Sequence, residues 1–500
     1  MNKINSIIAL AAAAFSLTAC NLDQGAFSEI PESGYVKDDQ TVENLVIGMY
    51  NSLQSVEEYE WAVTELRSDN ARSHDNNSTS NMIKLVEQFD QGTIAPENEW
   101  VAKYWNACYA TISRANNVIG YVDRVSDETK RKQYEGEALF LRSLEYFNIV
   151  RLWGPTFIVK TKTPSEVARN MQRSPVEDVY KLVEGDLERI VNEGLLPEKL
   201  KDSETGRATL IAAKALLAKV YATHYKVGDA KYDDGIRLCK EVLQSGVVGN
   251  PQSGSDLVPY NKVFDITNEM NKEIIFAVRY LSGKVGLGSP FGNMFAPINN
   301  GANVILGNCN NFNCPSDDIT SLYDAADVRR GVNIADGYTN KKTGAYVKAR
   351  YCCKYTYPVT EQKDGESDWP VIRVADIALL YAEMMNEKDG PSEEALKYVN
   401  MIRQRAGLAV YSLSDISGKY DFREAVRKER REELAFENQR WFDLLRWGIA
   451  KQTVNDYLAT EAFYRGYRYS VKSISDWQVM LPVPVSVMNI NPDAAQNVGY

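Results

Sequence analysis

The stretch DFREAVRKERREELAFENQRWFDLLRW, which runs from Asp421 to Trp447, decides the fold of this chain. Asp421 followed three residues later by Glu424 is typical of a capping box, with a side-chain acceptor at each end of the first helical turn. The residues that then recur at steps of three or four, and so share one helical face, are Phe422, Val426, Glu429, Glu433, Phe436 and Arg440. Charged groups persist on a face that packs into a core only when they are paired and hydrogen-bonded.

The two glutamates of this face have two interpretations. Glu429 and Glu433 could serve as general acid and base, because a glycoside hydrolase uses two carboxylates that flank a groove, about 5 to 10 Å apart. They could instead form ion pairs that fix how one helix packs on another. The structural interpretation is favoured, because ion pairs between helices are far commoner than active sites. The segment that follows, RWFDLLRW, is predicted to be a helix that packs on the first.

The run ERREELAFENQRWFDLLRWG, residues 429–448, resembles the most diagnostic run of the SusD/RagB family of outer-membrane nutrient-uptake lipoproteins. Further runs resemble the family in the same order, and they lie at 136–155, 315–329, 368–373, 479–484 and 491–500. The resemblance spans essentially the whole mature chain. It rests on the ordered set of runs and not on any single one.

The first residues have the pattern of a secretory signal. Lys3 precedes an apolar run at 7–17, and the Leu-Thr-Ala before Cys20 resembles a lipobox, in which the cysteine becomes the lipidated first residue. The apolar run is too short to cross a bilayer, and no other stretch is long and apolar enough. We therefore expect residues 1–19 to be a signal peptide, and residues 20–500 to be an exported body tethered to the membrane by lipid.

The composition argues against some partners. The chain has 500 residues, a formal net charge of −10 and a sequence pI near 5.2. Nucleic acids and anionic membranes bind basic surfaces, so neither is expected to bind the body directly. The 29 tyrosines and 8 tryptophans exceed what a core needs, and surplus rings suit stacking on sugars or peptide side chains.

Four of the six remaining cysteines form two close pairs. Cys309 and Cys314 are near enough to bridge a loop, and Cys352 and Cys353 are adjacent. A four-thiolate zinc site is an alternative, but the spacing lacks the usual two-residue knuckle, and an exported protein favours disulfides. We expect no metal site, and the disulfide state stays open.

Two stretches predict paired helices. Residues 207–246 begin with a helix crowded with small residues, turn at Gly228 and continue as an amphipathic helix, and residues 372–407 repeat this plan around a Gly-Pro turn. Small residues at close-approach positions, a short turn and a partner helix are typical of tetratricopeptide-like repeats. The sequence therefore predicts a mainly α fold, a tetratricopeptide-like solenoid of helical hairpins wrapped by irregular and short-strand segments.

The body is expected to have four parts. N-terminal helical hairpins occupy residues 41–252 and C-terminal helical hairpins occupy 371–460, with a loop-rich excursion at 253–370 between them and a tail at 461–500. The excursion begins where helical periodicity stops and a strand-like run follows. We expect it to contain a ligand-binding segment.

A first irregular stretch, ELRSDNARSHDNNSTSN at 65–81, is a candidate for ligand binding. It is polar and full of turn formers, and loops of this length on a rigid scaffold often carry binding groups. The candidates, including the tryptophan before the loop, are Trp61, Asp69, Asn70, Arg72 and Asn76. A solvated connector is the alternative interpretation.

A second irregular stretch covers 281–314. Gly286 and Gly288 follow a strand-like run, as in a dinucleotide-binding loop, but that loop should open a helix, and Pro290 and Pro297 break helices here. No cofactor is therefore expected. Aromatic faces with carboxamides beside them can stack on a sugar ring and bond its hydroxyls. The candidates are Phe291, Phe295, Asn299, Asn300, Asn303 and Phe312. Packing of the phenylalanines in a core is the alternative.

The family resemblance implies a cell-surface lipoprotein of the outer membrane that captures glycans, or in some members peptides. It implies a lid on a SusC-like TonB-dependent transporter, with no catalytic role and no required cofactor. The ligand-binding residues of the family lie outside its shared motifs, so none is carried over to this sequence. The alternatives are an extracellular glycoside hydrolase and a repeat adaptor that binds only protein. Such an adaptor would have no use for the long 281–314 stretch.

Replacement of the lipobox cysteine tests the predicted anchor. Cys20→Ala lacks the thiol that accepts lipid, so we expect the variant to be released from the membrane. Cell fractionation with detection of the protein in each fraction measures this. Cys353→Ala, which removes a thiol from the body instead, is the control. Recovery of Cys20→Ala in the membrane fraction at the wild-type level would contradict the prediction.

Overall fold

The computed structural model describes Val36 and residues 38–73, 81–465 and 473–500. Within these residues the chain is mainly helical, as the sequence predicts. The α-helices are α1 (Asp39–Val63), α2 (Asn81–Asp90), α3 (Glu99–Tyr121), α4 (Glu128–Trp153), α5 (Ser165–Ala168), α6 (Val176–Glu193), α7 (Leu210–His224), α8 (Ala230–Leu243), α9 (Tyr260–Val263), α10 (Phe291–Phe295), α11 (Asp317–Leu322), α12 (Val328–Asn333), α13 (Val374–Asp389), α14 (Glu393–Arg405), α15 (Lys419–Glu433), α16 (Arg440–Arg446), α17 (Ala450–Arg465) and α18 (Val485–Ile490).

Short strands and single-turn 3₁₀ helices complete the described elements. The strands are β1 (Ala71–Arg72), β2 (Ile274–Val278), β3 (Cys314–Pro315), β4 (Ile334–Thr339), β5 (Tyr346–Cys352) and β6 (Trp369–Arg373). They pair as three two-stranded antiparallel sheets, β1 with β3, β2 with β6 and β4 with β5. The 3₁₀ helices are Glu65–Arg67, Val122–Arg124, Asp202–Glu204, Gly254–Asp256, Leu413–Asp415 and Asp476–Val479.

The long helices pack in a continuous series. Along the chain α1 packs on α3, α3 on α4, α4 on α6, α6 on α7, α7 on α8, α8 on α13, and α13 on both α14 and α15. Each helix inside the series has neighbours on two sides, so α4 is buried nearly all round from Gly136 to Trp153. The predicted hairpins are α7 with α8 and α13 with α14, which confirms the solenoid-like architecture.

Close approach within the series requires small side chains. A Cβ atom at Gly235 of α8 would lie 2.8 Å from Met384 Cε on α13 and 3.3 Å from Tyr221 Cβ on α7. The distance between packed helices depends on the side chains at the crossing. The small residues of the 207–246 stretch therefore let three helices meet.

The diagnostic stretch forms α15 and α16, joined by a tight reversal. α15 begins two residues before Asp421, so the predicted capping box is wrong: Gly418 occupies the cap position, and the Asp421 carboxylate accepts a hydrogen bond from the Ser417 amide. Phe436 and Asn438 have φ values of 65° and 62°, a left-handed conformation that turns the chain back. RWFDLLRW then packs as a separate helix, as predicted.

Arginines from three other segments hold the buried carboxylates of α15. Glu433 accepts a hydrogen bond from Arg373 at 2.6 Å and from Arg329 at 3.3 Å, and it also pairs with Arg405. Burial would raise the pKa of Glu433, but the guanidinium groups outweigh burial and hold that pKa well below its ordinary value. Glu429 accepts from Arg329 at 2.6 Å. These contacts confirm the structural interpretation of both glutamates.

A second cluster of buried carboxyl groups has, within the described residues, no ion pair with an arginine to offset the effect of burial on the pKa. Glu57 of α1 and Glu145 of α4 are buried, and neither forms an ion pair with a described cation. Burial is the main cause that raises the pKa of both groups, and the neighbouring Glu60 adds to it. Burial also raises the pKa of Glu60, to about 7. Glu57 and Glu145 therefore favour the protonated form inside the folded protein.

Glu433→Gln tests the arginine network. An amide cannot carry the charge that three buried guanidinium groups face, so we expect the free energy of unfolding to fall by about 3–5 kcal/mol. Chemical denaturation followed by circular dichroism measures the loss. Glu424→Gln is the matched control, because Glu424 pairs with Arg427 near the surface, where an ion pair contributes about 0–1 kcal/mol. Equal stability of the two variants would show that the network is dispensable.

Glu145 should make the protein less stable as the pH rises. Its pKa is raised in the folded state, so the folded protein keeps a proton that the unfolded chain releases above its ordinary pKa. Between the two pKa values, stability falls by about 1.4 kcal/mol per pH unit. We therefore expect Glu145→Gln to melt at a higher temperature than wild type at pH 8 and to lose most of this advantage at pH 5. Glu128→Gln, at the exposed start of the same helix, is the control, and a pH-independent difference would contradict the expectation.

Candidate functional site

The aromatic residues predicted to stack on a ligand lie in the core. Trp61, Phe291, Phe295 and Phe312 are each at most 1% exposed. The ring centroid of Trp61 is 5.5 Å from that of Phe295 and 5.5 Å from that of Phe312. The prediction of an exposed stacking surface is therefore wrong for these four rings, because mutual burial removes more apolar area from water than a shallow ligand contact would. The two irregular stretches do meet, but their aromatic side chains pack against each other inside the hydrophobic core.

The polar candidates of the first stretch bind the diagnostic stretch. Asp69 accepts two hydrogen bonds from Arg440, both of 2.8 Å, and pairs with Arg431 at 3.1 Å. Burial would raise the pKa of Asp69, but the two arginines lower it to about 2. Asn70 donates to Glu65 at 2.9 Å and accepts from Arg431 at 2.9 Å. These side chains are buried, and they tie the loop to α15 and α16.

The remaining candidates differ in exposure. Arg72 is buried in β1, and Asn76 lies outside the described residues. Asn300 is buried and hydrogen-bonds within its own loop. Asn303 is half-buried and accepts a hydrogen bond of 2.7 Å from a backbone amide at the tip of the β4–β5 hairpin. Among the candidates that the structure describes, only Asn299 is exposed.

A large open groove lies elsewhere, between α1 and β2. It encloses about 600 Å³, which is in the range of small-molecule sites. One wall is the face of α1 that carries Asn44, Ile47 and Asn51, and the other wall includes Val278 at the end of β2. The 205–207 turn and Leu287 complete the lining. None of the predicted site residues that the structure describes lines this groove.

The walls of the groove are joined by hydrogen bonds and close packing. Gln54 Nε2 donates to the carbonyl oxygen of Arg279 at 2.8 Å and to that of Leu287 at 3.3 Å. The Arg279 side chain packs on Gly206, where an added Cβ would lie 2.9 Å from its Cγ. Gly206 also has a φ of +99°, which only glycine adopts readily. The groove is therefore pre-formed.

The exposed face of α1 supplies the chemistry of the groove. Asn44, Ile47 and Asn51 are exposed, Ile47 to 53%, and their spacing of three and four residues places them on one face. Carboxamides donate to and accept from hydroxyl groups, and the aliphatic side chain offers apolar surface between them. Sequence reasoning missed this face, because a helix face of mixed polar and apolar residues has the same pattern as an ordinary solvated one.

Glu429 and Glu433 do not line the groove, and each is at most 1% exposed. A glycoside hydrolase needs its two carboxylates beside an open cleft, so the catalytic interpretation of this pair is wrong.

Among the described residues, no group of His, Cys, Asp and Glu side chains is placed to hold a metal ion. All six cysteines that the structure describes are free thiols, so Cys309 and Cys314 are not bridged.

Two further points concern the membrane. None of the helices in the described ranges combines the length and the apolar character that a bilayer span requires. The predicted lipidation residue, Cys20, lies outside the described residues.

Two family models match the chain. The model described as the SusD family matches residues 329–500, and the model described as "Starch-binding associating with outer membrane" matches residues 22–222. A SusD-like protein of Formosa agariphila is 27% identical over 555 aligned positions, with both chains covered completely. A SusD-like protein of Bacteroides ovatus is 26% identical, with 89% of this chain and 82% of that protein covered.

Two solved structures have the same fold. A laminarin-binding SusD-like protein has a TM-score of 0.76 at 24% identity, with 93% of this chain and 100% of that chain covered. Surface glycan-binding protein A from Bacteroides thetaiotaomicron, in complex with laminarihexaose, has a TM-score of 0.76 at 20% identity, with 92% and 99% covered. The two family models cover the N-terminal helices and the diagnostic stretch, and the chain belongs to the SusD family.

Proposed function

We propose that this chain is a cell-surface lipoprotein that captures a glycan, an oligo- or polysaccharide, and delivers it to a SusC-like TonB-dependent transporter in the outer membrane. One of the two matching family models supports this, because its description is of starch-binding proteins associated with the outer membrane. Of the two proteins with the same fold, one is named for binding laminarin and the other is in complex with laminarihexaose.

The observation that carries the proposal is the groove between α1 and β2. A glycan is held by side chains that bond its hydroxyl groups and by apolar surface against the C–H faces of its rings. Asn44 and Asn51 supply the hydrogen-bonding side chains, and Ile47 and Leu287 supply the apolar surface. The hydrogen-bonded walls lower the entropy lost on binding, because the site does not have to be ordered first. Capture of this kind needs no bond cleavage.

The rest of the chain has a supporting role in this proposal. Lipid at Cys20 would attach the body, residues 20–500, to the membrane after removal of residues 1–19. The helical hairpins of 41–252 and 371–460 would form the scaffold, and the excursion at 253–370 with the tail at 461–500 would wrap it.

A peptide is the second candidate ligand. The apolar lining of the groove is mainly aliphatic, with Ile47, Val278 and Leu287 among its residues. The hydroxyl of Tyr50, the one aromatic residue that lines it, accepts a hydrogen bond of 2.8 Å from the Ala208 amide. Aliphatic surface suits peptide side chains as well as sugar rings, so peptides belong in the screen that tests the proposal.

Calorimetric titration of the mature chain with neutral oligosaccharides, acidic oligosaccharides and short peptides tests capture. The groove variants Asn44→Ala and Asn51→Ala should each weaken binding of the best ligand by about three- to tenfold, since one hydrogen bond contributes about 0.5–1.5 kcal/mol. Both residues are exposed on α1, so folding should be intact, and melting curves check this. The double variant should weaken binding further.

Two controls locate the site. Tyr420→Ala removes a ring that is 67% exposed on α15 and outside the groove, so its affinity should match wild type. Asn299→Ala tests the exposed candidate of the excursion. Loss of affinity in Asn299→Ala, with wild-type affinity in the α1 double variant, would move the site to the excursion. If no glycan or peptide of the screen binds, the capture proposal fails.

A further inference from the structure

A second pocket opens where the turn after α7 meets α13, α15 and α16. It encloses about 510 Å³, and it shares no lining residue with the groove between α1 and β2. Its position is marked by Lys226 in the turn, Glu387 on α13, Arg427 on α15 and Trp447 just after α16. We call it the hairpin pocket.

The hairpin pocket is cationic on an acidic protein. Its charged lining residues are Lys226, Arg423, Arg427, Arg446, Glu383 and Glu387. Four basic groups against two acidic groups leave an excess of positive charge, on a chain whose formal net charge is −10. A cleft of one sign concentrates ligands of the opposite sign. The pocket therefore favours an anionic group.

The two carboxylates of the pocket are already neutralised. Arg423 donates two hydrogen bonds of 2.7 Å to Glu387, and Arg446 pairs with Glu383. Burial would raise the pKa of Glu387, but its arginine partner and the nearby cations lower it below its ordinary value. Both acidic groups are thus paired with one arginine each, which leaves Lys226 without a carboxylate partner among the described residues and Arg427 with a partner, Glu424, that is not part of the lining.

Lys226 and Arg427 are the two cations of the lining that have no carboxylate partner inside the pocket. Lys226 makes no ion pair within the described ranges. Arg427 donates from Nη1 to Glu424 at 3.0 Å, and Glu424 is not part of the pocket lining. The Nε atom of Arg427 is buried and has no hydrogen-bond partner in the part of the chain that the structure describes. Because that atom is inaccessible, a carboxylate would meet Arg427 through the rest of its guanidinium group, on a side chain that is 21% exposed.

An aromatic surface lies beside this unsatisfied donor. The guanidinium carbon of Arg427 is 4.7 Å from the ring centroid of Trp447, and the indole nitrogen of Trp447 donates to Glu383 at 2.9 Å, which fixes the ring. Tyr225, which is half-buried, also lines the pocket, and Tyr232 lies beneath it with 6% exposure. Aromatic side chains around a cationic centre offer a sugar ring a surface to cover while its carboxylate meets the charge.

We propose that the hairpin pocket binds a uronic acid unit of an acidic glycan, with the carboxylate on Arg427 and Lys226. The proposal rests on the proposed function and gives the captured glycan a chemical class. A planar carboxylate matches the geometry of a guanidinium edge and forms charge-assisted hydrogen bonds. An acidic peptide side chain carries the same carboxylate on a flexible chain, without a ring to lie against Tyr225 and Trp447, so the lining favours the sugar.

Titration of the mature chain with trigalacturonic acid and with neutral galactotriose tests this inference. The pair differs in the carboxylate, so wild type should bind the acidic trimer at least about tenfold more tightly, the gain expected from a charge-assisted hydrogen bond. Added salt should reduce the preference, because the interaction is between charges near the surface. Arg427→Gln should abolish the preference, and Lys226→Ala, an exposed substitution that leaves the fold intact, should reduce it.

Arg237→Ala is the matched control, because Arg237 is an exposed arginine of α8 whose ion pairs lie outside the hairpin pocket. Equal affinity for the acidic and neutral trimers would overturn the inference, as would a preference that survives both pocket variants. Tighter binding of triglutamate than of trigalacturonic acid, lost in Arg427→Gln, would replace the sugar with a peptide. If neutral glycans bind through Asn44 and Asn51 while acidic ones gain nothing, this inference fails and the proposed function stands. If no glycan binds, both fail.

Discussion

Three guanidinium groups converge on one carboxylate, that of Glu433, and much of the structure depends on this meeting. Arg329 comes from α12, Arg373 from the end of β6 and Arg405 from the end of α14. The side chain of each of these arginines is at most 2% exposed, so its transfer into the core is costly unless every charge is matched. All three arginines must reach Glu433 at once. This requirement restricts the positions of the 253–370 excursion, of the sheet formed by β2 and β6, and of the hairpin formed by α13 and α14.

The same stretch of sequence also holds the N-terminal half. Arg431, two residues before Glu433, and Arg440 at the start of α16 both bind Asp69. The 3₁₀ turn beside Asp69 contributes Glu65, which accepts a hydrogen bond of 2.8 Å from the Phe436 amide in the reversal. One short stretch thus satisfies charges from the N-terminal helices, the excursion and the C-terminal hairpins. Substitution of a residue in this stretch is therefore expected to disturb several distant segments at once.

The sequence predicts the helices and the hairpins because both depend on local periodicity and small residues. It also favours a structural role for Glu433, since a charged residue on an otherwise apolar face implies a buried partner. It does not identify that partner: Arg329 is more than a hundred residues away. Asp69 and Asn70 have the composition of a solvated loop, and only the tertiary contacts reveal that they are buried. Phe295 reads equally well as a stacking ring or as core.

The groove and the hairpin pocket escape sequence reasoning for a different reason. Each is assembled from segments far apart in the chain. Helix α15 shows the division within a single element. Arg430 binds Asp376 and Asp443 and is 2% exposed, whereas Arg427, one turn earlier, lies at the pocket with a donor unused. One face of the helix is buried among ion pairs of the core, and the other lies at the pocket.

This division bears on how a family with one fold could serve many ligands. Substitution at Glu433 disturbs charges in three distant segments, so the buried face is constrained by stability alone. Substitution at Arg427 changes a pocket at the surface and leaves the contacts of Glu433 intact, because the two residues point to different neighbours. Sites more than about 7–10 Å apart with no shared partner contribute independently to stability. With the ligand site that we propose in the hairpin pocket, substitution of Arg427 would change ligand preference while the fold that α15 organises stays the same.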